Sequence, residues 1–365
     1  MPTEKPRVLH VIARYNIGGT ARYLSNLLPK LTSDVDALLA VGHVQGNEIE
    51  DSSLEEMEFV RIENLGRRIA LIDDLRAYLQ IRKVVKNFKP QIIHSHTFKA
   101  GLLSRIMFFK IPKVHTFHGH LLSDPEFSRR ALQVIVNIER RLAKITKRII
   151  TVGEQVTADL LNVGVGKKSQ YISIASEGAT LTFLSKEEAR RSLNIEDGVP
   201  AVLWMARMAP VKNPGLALEV ARLLPEVKFL MAGGGDLFEQ TKVNAPKNVL
   251  MLGWVDAAEV IPAADVFLST SLNEGVPYSL IEVQSCGIPI VAVDSGAINE
   301  LITDGVSGVL SKPESSELAL KVKSLLNDNP RIESMGLAAR AQREVISGKP
   351  LMVGAHKTLY EKILR

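Results

Sequence analysis

The segment that follows residue 270 holds the side chains whose types and spacing most clearly suggest chemistry. Glu274 lies in a loop after an apolar, strand-like run, and Glu282 lies about one turn into a predicted helix. Pro277 suits the first turn of that helix, so the amides near Tyr278 and Ser279 would point at an anion. Carboxylates beside an anion site could accept hydrogen bonds from ribose or sugar hydroxyls. A capping box formed by Ser279 and Glu282 is the alternative, and Pro277 at the helix start argues against it.

Two cations follow another predicted strand. Arg207 ends this strand, and Lys212 lies five residues later in a loop that enters a helix. A guanidinium and an ammonium at this place could neutralise a diphosphate without a metal ion, although two surface cations would give the same pattern. Gly18 and Gly19 follow the first predicted strand and precede a helix. Backbone amides there can approach a phosphate closely, and a simple turn explains the glycines equally well.

Five of the eight histidines lie within one short stretch, at positions 94, 96, 115, 118 and 120. A zinc site is one interpretation, because His94 and His96 share a strand face and His118 and His120 flank a glycine. Neither a cysteine nor an acidic cluster accompanies them, so we expect no metal. We expect His118, directly past a strand end, to face a ligand cleft, where a neutral imidazole could donate to a sugar hydroxyl or a phosphate.

Another glycine-containing loop, residues 233–235, follows a predicted strand. The full dinucleotide-binding spacing fails because position 238 is Phe, which makes a dehydrogenase improbable. Close approach of this loop to a base or ribose is the better interpretation.

Short apolar runs alternate with helical patterns along the chain, which is typical of parallel βαβ units. The predicted strands are residues 7–13, 91–96, 113–117, 148–152, 171–174, 201–206, 228–232, 249–252, 266–270 and 289–293. The main predicted helices are residues 20–31, 73–88, 127–145, 214–224, 278–286, 317–326 and 350–365. We therefore predict an α/β protein with two doubly wound, Rossmann-like domains, whose ligands bind beyond the carboxyl ends of the strands. The predicted domains are residues 1–184 and 185–348, and a final helix at 349–365 either closes the second domain or crosses back to the first.

Composition and charge set further limits. No run approaches the ~20 uncharged apolar residues of a membrane span, the N-terminus lacks a signal-peptide core, and Cys286 is the single cysteine, so we expect a cytoplasmic protein. Residues 1–180 contain 26 Lys and Arg against 18 Asp and Glu, so this half is basic. It could face anionic lipid, nucleic acid or a pyrophosphate-linked acceptor, or be a solvated surface without a partner. Residues 127–148 are basic and partly amphipathic and could rest on an anionic membrane, although apolar residues at helical spacing also fit core contacts.

Taken together, these motifs resemble glycosyltransferase family 4, whose members are retaining enzymes of the GT-B fold, over nearly the whole chain. The matching segments are residues 17–19, 93–96, 115–120, Arg207 with Lys212, 274–282, 286–291, 296–300 and 304–305. The string His-Thr-Phe-His-Gly-His at 115–120 is similar to bacterial members that act in cell-surface polysaccharide or lipid-linked sugar assembly. The resemblance implies two Rossmann-like domains that face a central cleft.

The resemblance also implies roles for individual residues. Arg207 and Lys212 would bind the donor diphosphate and stabilise charge on the leaving nucleotide, and Glu282 would hold the ribose. Glu274 and His118 would contact the transferred sugar, completing a catalytic set with the two cations. The other donor-binding residues would be Gly18, Gly19, Gly275, Pro277, Tyr278 and Ser279. No cofactor and no divalent metal is implied.

The expected reaction moves a sugar from a nucleoside diphosphate sugar, with UDP-sugar favoured, to a hydroxyl of a saccharide or lipid-linked acceptor. The anomeric configuration would be retained, and the setting would be cell-surface polysaccharide synthesis by a cytoplasmic hexosyltransferase, peripheral on the inner face of the plasma membrane. We expect no nucleic-acid partner. Two alternatives remain, a catalytically silent nucleotide-sugar-binding scaffold and a GT-B sugar-nucleotide epimerase.

Three positions depart from the family pattern. Asn213 stands where glycine is usual, Ala297 replaces one of a glycine pair, and residues 177–180 read Glu-Gly-Ala-Thr where Asn-Gly-x-Asp is common. None of these changes removes an implied charged ligand of the donor. They leave the choice of sugar and the local hinge geometry open.

Overall fold

The computed structural model describes residues 5–46, 48–66, 70–107, 110–119, 128–174, 181–347 and 352–365. Within these ranges the chain forms two compact α/β units. The first unit contains the described residues up to 174 together with 352–365, and the second contains residues 181–347.

Parallel strands build the sheet of the first unit. They are β1 (Arg7–Ile12), β2 (Asp36–Val41), β3 (Phe59–Arg61), β4 (Ile92–His96), β5 (Lys113–Phe117), β6 (Arg148–Thr151) and β7 (Tyr171–Ser173). Their order across the sheet is β3-β2-β1-β4-β5-β6-β7. The central strands are buried along most of their length because helices cover both faces of the sheet. The strand order reverses between β1 and β4, which is where doubly wound sheets bind ligands.

The helices between these strands are α1 (Gly19–Leu31), α2 (Leu71–Phe88), α3 (Phe98–Arg105), α4 (Arg129–Ala143) and α5 (Glu154–Asn162). The predicted helices at 20–31 and 73–88 thus correspond to α1 and α2, and that at 127–145 to α4. In α4 the apolar side chains Ile135, Val136 and Leu142 are buried. Core packing therefore accounts for most of the amphipathic pattern of that segment.

The second unit is also a parallel sheet with helices between its strands. Its strands are β8 (Ala201–Met205), β9 (Lys228–Ala232), β10 (Val249–Gly253), β11 (Val266–Ser269), β12 (Ile290–Val293) and β13 (Val309–Ser311), in the order β10-β9-β8-β11-β12-β13. Its helices are α6 (Lys186–Ser192), α7 (Pro214–Leu223), α8 (Phe238–Val243), α9 (Ala257–Val260), α10 (Tyr278–Cys286), α11 (Ser315–Leu326) and α12 (Asn329–Ser347). Alternate strand residues enter two separate cores, so that Val202 packs in one and Leu203 in the other.

The final helix, α13 (Met352–Leu364), belongs to the first unit, where it packs against α1. Its buried side chains are Met352, His356, Leu359 and Tyr360, which share one helical face. The α/β class with two Rossmann-like sheets is confirmed, whereas β2, β3 and β13 are absent from the strands predicted above. Within the described ranges, every helix is too short or too polar to cross a membrane.

Candidate active site

In the second unit, the segment between β8 and α7 carries the two predicted phosphate ligands. β8 ends at Met205, and Arg207 follows two residues later. Lys212 ends a short 3₁₀ turn, Pro210–Lys212, that leads directly into α7. Both cations therefore lie beyond the carboxyl end of a central strand, at the place where ligands of doubly wound sheets bind.

A buried hydroxyl fixes the Lys212 turn to the sheet. Thr270, the residue after β11, accepts a hydrogen bond of 2.8 Å from the indole of Trp204 on β8. The same hydroxyl lies 2.9 Å from the backbone carbonyls of Lys212 and Asn213, to which it donates its single proton. Trp204 and Thr270 are both buried, so the contact ties the turn to the two strands at the strand-order reversal.

The glycine-containing loop 233–235 packs behind Arg207. A Cβ on Gly233 would lie 2.0 Å from the carbonyl oxygen of Ala206, and one on Gly235 would lie 2.8 Å from that of Met208. The amide of Met208 donates to the carbonyl of Gly234 at 2.8 Å. These glycines are therefore required by the close approach of two backbone segments, which holds the end of β8 in place.

The start of α10 has the geometry expected of an anion site. Pro277 is the residue before the first helical residue, Tyr278, and its φ of −71° suits that place. The amides of Tyr278 and Ser279 lie in the first turn, where a helix offers them no carbonyl partner. Ser279 is the second residue inside the helix, so the capping-box alternative is excluded. Glu282, one turn further along, is buried at 5% exposure.

Glu274 and Lys212 form an ion pair in this structure, with 2.5 Å between Glu274 Oε1 and Lys212 Nζ. The Glu274 side chain is 8% exposed. Its loop rests on Gly296, which has a φ of +60° and lies so close that a Cβ would approach the Glu274 carbonyl oxygen to 2.1 Å. The amide of Ala297 donates to that same carbonyl at 2.9 Å. The backbone at 296–297 therefore fixes the position of the Glu274 loop.

Two departures from the family pattern fit the local backbone. Asn213 has a φ of +50°, a left-handed conformation that asparagine adopts far more readily than most residues other than glycine. Ala297 has a φ of −96°, which does not require glycine. The third departure, at residues 177–180, lies outside the described residues, as does His120.

In the first unit, the predicted phosphate-binding glycines lie at the start of α1. Gly18 precedes the helix and Gly19 is its first residue. The first helical hydrogen bond runs from the Arg22 amide to the Gly18 carbonyl at 3.0 Å. The amides of residues 19 to 21 precede that bond and point out of the helix end, beside the carboxyl end of β1.

Histidines from two strands, and His118 just beyond a third, project from one face of the first sheet, near the carboxyl ends of the strands. His10 on β1 is opposite His94 on β4, and His96 is opposite Thr116 on β5. His118, two residues beyond Thr116, continues the same face. His115 lies on the other face, where it contacts the Ser95 hydroxyl at 2.8 Å. The histidine-containing stretch noted in the sequence is therefore divided between the two sides of the sheet.

Hydrogen bonds connect these groups in a continuous series. His118 Nε2 lies 2.9 Å from His96 Nδ1, and His96 Nε2 lies 3.1 Å from His10 Nδ1. The Tyr360 hydroxyl, from α13, lies 3.5 Å from His10 Nε2 and 2.7 Å from His94 Nδ1. His94 Nε2 lies 2.7 Å from the Thr116 hydroxyl. We call this connected set the histidine chain: His118, His96, His10, Tyr360, His94 and Thr116.

Burial keeps the imidazoles neutral. Desolvation, assisted by repulsion from His356, lowers the pKa of His10 and of His118 to about 3. Desolvation and the neighbouring histidines hold the pKa of His94 and of His96 well below the usual range. At neutral pH each ring therefore carries one proton, so that one nitrogen donates and the other accepts.

α13 also contacts α1 through a pair of buried side chains. His356 Nδ1 lies 2.7 Å from the Met352 carbonyl and must donate to it, because a carbonyl only accepts. Burial lowers the pKa of His356 to about 4, so the ring is neutral and its Nε2 accepts from the Tyr23 hydroxyl at 3.0 Å. The Tyr23 ring also meets the His118 ring edge to face, with 4.7 Å between centroids.

His10, His94 and His96 lie close enough together to be considered as a zinc site. Among the described residues this is the trio that could offer a metal three ring nitrogens within 4.8 Å of one another. However, His94 already uses both nitrogens in 2.7 Å hydrogen bonds, and the rings of His10 and His96 are stacked at 10°. A metal would have to break these bonds and turn the rings toward one point. The arrangement favours hydrogen bonding over metal ligation.

Sequence reasoning named Arg207, Lys212, Glu274 and Glu282, and the structure joins Lys212 and Glu274 in an ion pair. It missed Thr270, His10, Tyr23, His356 and Tyr360. A signal existed for some of these, because His356 and Tyr360 are four residues apart on a predicted helix and His10 lies on a predicted strand.

Comparison with known proteins agrees with this fold. The family described as Glycosyltransferase Family 4 matches residues 17–173, and Glycosyl transferases group 1 matches residues 185–342. The UDP-Gal:alpha-D-GlcNAc-diphosphoundecaprenol alpha-1,3-galactosyltransferase of Escherichia coli is 29% identical over 274 residues, 68% of this chain and 69% of that protein. A 41.2 kDa Klebsiella pneumoniae protein from a cps region is 26% identical over 359 residues, 94% of this chain and 95% of that one.

Among solved structures, Anabaena HepE in complex with UDP and glucose has a TM-score of 0.81 at 21% identity, covering 98% of this chain and 99% of that one. The two parallel sheets and this likeness show the GT-B fold, and the two family models show a glycosyltransferase. The chain belongs to glycosyltransferase family 4, with a C-terminal unit of the group 1 type. It is accordingly a hexosyltransferase-type enzyme.

Proposed function

We propose that this enzyme transfers a hexose from a UDP-sugar to a hydroxyl of a saccharide carried on a lipid diphosphate, with retention at the anomeric carbon, in cell-surface polysaccharide synthesis. The observation that carries the proposal is that Arg207 and Lys212 follow β8 and that Lys212 pairs with Glu274, which lies in the loop before α10. Names of similar proteins support the donor and the acceptor class. The E. coli relative is named for UDP-galactose and a diphosphoundecaprenol-linked sugar, and HepE was solved with UDP and glucose.

The charged residues of the second unit would act on the leaving group. Arg207, Lys212 and the first amides of α10 would hold the diphosphate, so that the charge developing on it is stabilised by groups already in place. Lys212 is held by Glu274 in this structure, and a diphosphate would compete for it. The freed Glu274 carboxylate could then accept hydrogen bonds from the transferred sugar, while Glu282 holds the ribose.

Retention would follow from attack on the same face as the departing phosphate. In this mechanism the acceptor hydroxyl forms the new bond to the anomeric carbon as the bond to the phosphate oxygen breaks, and the phosphate takes the hydroxyl proton. The cations hold that phosphate in position to do so. His118 and the amides at Gly18 and Gly19 would be the contributions of the first unit, to the sugar and a phosphate respectively. Because the cations suffice to neutralise the diphosphate, we expect transfer to persist in EDTA.

An acceptor on a lipid diphosphate would be presented at a membrane. We assign the exposed side of α2 as the surface of the protein that binds this membrane. Leu71, Ile72, Leu75 and Leu79 are between 52% and 84% exposed on this helix. The same helix exposes the cations Arg76, Arg82, Lys83 and Lys86. Apolar side chains beside cations match the chemistry of an anionic lipid surface. The segment 127–148, considered from the sequence, fits less well because Ile135, Val136 and Leu142 are buried in α4.

Flotation with anionic liposomes tests the assignment of this surface. Leu75→Ser with Leu79→Ser should abolish co-flotation. Val134→Ser, which removes an equally exposed apolar side chain from α4, should leave it unchanged. Equal loss in both variants, or no flotation of the wild type, would remove the membrane proposal while leaving the transferase proposal intact.

A thermal-shift panel of UDP, GDP, ADP and their sugars tests the donor site. A ligand at about a hundred times its Kd stabilises the folded state by about 2.7 kcal/mol, which moves the Tm by a few degrees. We expect a shift with the uridine series that Glu282→Ala abolishes. A shift that Glu282→Ala leaves unchanged would show that this site assignment is wrong. Product analysis by NMR then separates α-configured transfer from inversion, and from conversion of the donor sugar without an acceptor, which would favour an epimerase.

A further inference from the structure

The proposed function uses one ring of the histidine chain, that of His118, and the orientation of this ring decides what it can contact. His118 is the only member of the histidine chain that is partly exposed. Its Nε2 lies 2.9 Å from His96 Nδ1, so the His118 Nδ1 is the nitrogen that could meet a ligand. A hydroxyl both donates and accepts, so it can pair with an imidazole nitrogen in either protonation state. Contact with a sugar hydroxyl therefore depends on where Nδ1 points.

The hydrogen bond to His96 does not by itself fix that direction. A histidine ring turns about its Cβ–Cγ bond, and this torsion has broad energy wells. Nε2 lies at the far end of the ring, near the axis of the rotation, whereas Nδ1 lies well to the side of it. A turn of the His118 ring therefore moves Nδ1 further than Nε2, and a second contact is needed to set the plane of the ring.

Tyr23 of α1 supplies this second contact. Its ring meets the His118 ring edge to face, with 4.7 Å between centroids and 83° between the ring planes. Edge-to-face geometry is a favoured arrangement of aromatic pairs, so a turn of the His118 ring would lose it. The Tyr23 side chain is fully buried, and it cannot move aside without disturbing the packed core around it.

α13 in turn holds Tyr23 through His356. The Met352 carbonyl can only accept, so His356 Nδ1 donates to it at 2.7 Å. Burial keeps the His356 ring neutral, and its Nε2 accepts from the Tyr23 hydroxyl at 3.0 Å. A backbone carbonyl thus fixes the direction of both bonds, whatever the order of protons in the histidine chain. Because both side chains are fully buried, removal of either leaves a polar atom without a partner or water.

We propose that Tyr23 is a positioning residue that sets the plane of the His118 ring, and so points His118 Nδ1 at a hydroxyl of the transferred sugar, and that His356 holds Tyr23 in this place. The sugar contact rests on the proposed function, whereas the positioning of the ring does not. His118 is the group that would touch substrate. The last helix of the chain would thereby support the sugar site through two side chains that do not touch the sugar.

NMR of the full-length protein with ¹³C-labelled histidine rings tests the positioning directly, and His118→Asn assigns the His118 signals. In the wild type we expect one set of signals with the relaxation of an ordered ring. Tyr23→Leu should make the ring clearly more mobile, and His356→Leu should do so to a smaller extent. His356→Gln keeps an acceptor for the Tyr23 hydroxyl and should restore the wild-type relaxation. The two His356 variants carry the test even if Tyr23→Leu does not fold.

Lys357→Met is the matched control. Lys357 follows His356 on α13 and pairs with Asp34, beyond the end of α1, so it also joins α13 to the α1 region. The variant removes this ion pair and leaves the bond between His356 and the Tyr23 hydroxyl in place. The His118 signals should therefore match those of the wild type.

Release of UDP from UDP-glucose, UDP-galactose and UDP-N-acetylglucosamine gives the functional measurement. An edge-to-face aromatic pair is worth up to about tenfold in an equilibrium, so kcat of Tyr23→Leu should fall by about that factor. The kcat of His356→Leu should fall about threefold. UDP lacks the sugar, so its Kd, measured by calorimetry, should be the same in every variant. In a His118→Ala background, Tyr23→Leu should cause no further fall, because Tyr23 acts only through His118.

An equally ordered His118 ring in Tyr23→Leu, or in His356→Leu, and in the wild type would overturn the proposal. So would equal loosening in Lys357→Met or a loss of UDP binding in Tyr23→Leu, because the effect would then be a general disturbance of packing. If the ring behaves as expected but none of the donors is turned over, the positioning stands and the proposed function fails. If a donor is turned over and Tyr23→Leu lowers kcat equally with and without His118, the role of the ring toward the sugar is refuted.

Discussion

Lowering the pH from about 7.5 to about 5.5 should destabilise the first unit and leave the second nearly unchanged. His10 and His356 are both fully buried, and burial lowers the pKa of His10 to about 3 and that of His356 to about 4. In the unfolded chain each would titrate near its ordinary value of about 6.5. Below that pH the unfolded state binds more protons than the folded state, so the free energy of unfolding falls as the pH falls.

The size of the fall in the free energy of unfolding follows from the titration of His10 and His356. Over this pH range each of the two histidines removes about 1.4 kcal/mol, and together they remove about 3 kcal/mol. The loss continues until the pH reaches the folded pKa values and then levels off. The pKa of His94, His96, His115 and His118 is also lowered. Since these groups add to the loss, about 3 kcal/mol is the lower end of the expected change.

The chain provides an internal control for this experiment. Residues 181–347 contain no histidine but contain both tryptophans, Trp204 and Trp254. Urea unfolding followed by tryptophan emission therefore reports on the second unit, and hydrogen exchange of peptides from β1, β4 and α13 reports on the first. We expect protection of those peptides to fall with pH while the tryptophan transition stays in place.

A variant sharpens the test. His356→Gln keeps an acceptor for the Tyr23 hydroxyl but does not titrate, so it should reduce the pH dependence of the first unit by about 1.4 kcal/mol. If the first unit is as stable at the lower pH as at the higher one, or if both units lose stability equally, the assignment of neutral buried histidines is wrong.

Two further predictions concern the donor site. Thr270→Val leaves the buried Trp204 indole and the carbonyls around Lys212 without their hydroxyl, so it should destabilise the second unit by about 2 kcal/mol and weaken UDP binding, measured by urea unfolding and calorimetry. Thr270→Ser keeps the hydroxyl and should do neither; a Ser variant as weak as the Val variant would contradict this. Gly296→Ala should lower donor affinity at least tenfold in a folded protein, because the new Cβ meets the Glu274 carbonyl at 2.1 Å. Ala297→Gly, at a φ that needs no glycine, should bind UDP as the wild type does, and equal losses in both would refute the steric argument.

The sequence predicts the central strands well and the outer ones poorly. Near-continuous apolar runs such as that of β11 indicate buried parallel strands. β2 was not predicted because Asp36-Ala-Leu-Leu-Ala-Val is rich in residues with high helix propensity. It is a strand because it pairs along its whole length with β1, a contact that only the tertiary structure supplies. β3 and β13 are three residues long, too short to show a period.

For the candidate site, sequence identifies charged residues better than it identifies their supports. Arg207, Lys212 and Glu274 could be named from their places after predicted strands. Thr270 could not, because a threonine after a strand is common and its role depends on the approach of a turn 58 residues away. The histidine chain was missed for the same reason, since Tyr360 and His94 are 266 residues apart in the sequence.

The return of α13 to the first unit affects how the protein can be made. Ribosomal synthesis delivers β1, β4 and β5 early, but Tyr360 and His356 emerge only after the whole of 181–347. Until then, His10, His94 and Tyr23 lack partners that they have in the finished protein. A nascent first unit must keep this polar face hydrated, and its final closure waits for the last residues of α13. The order of translation therefore allows the second unit to fold before the first is complete.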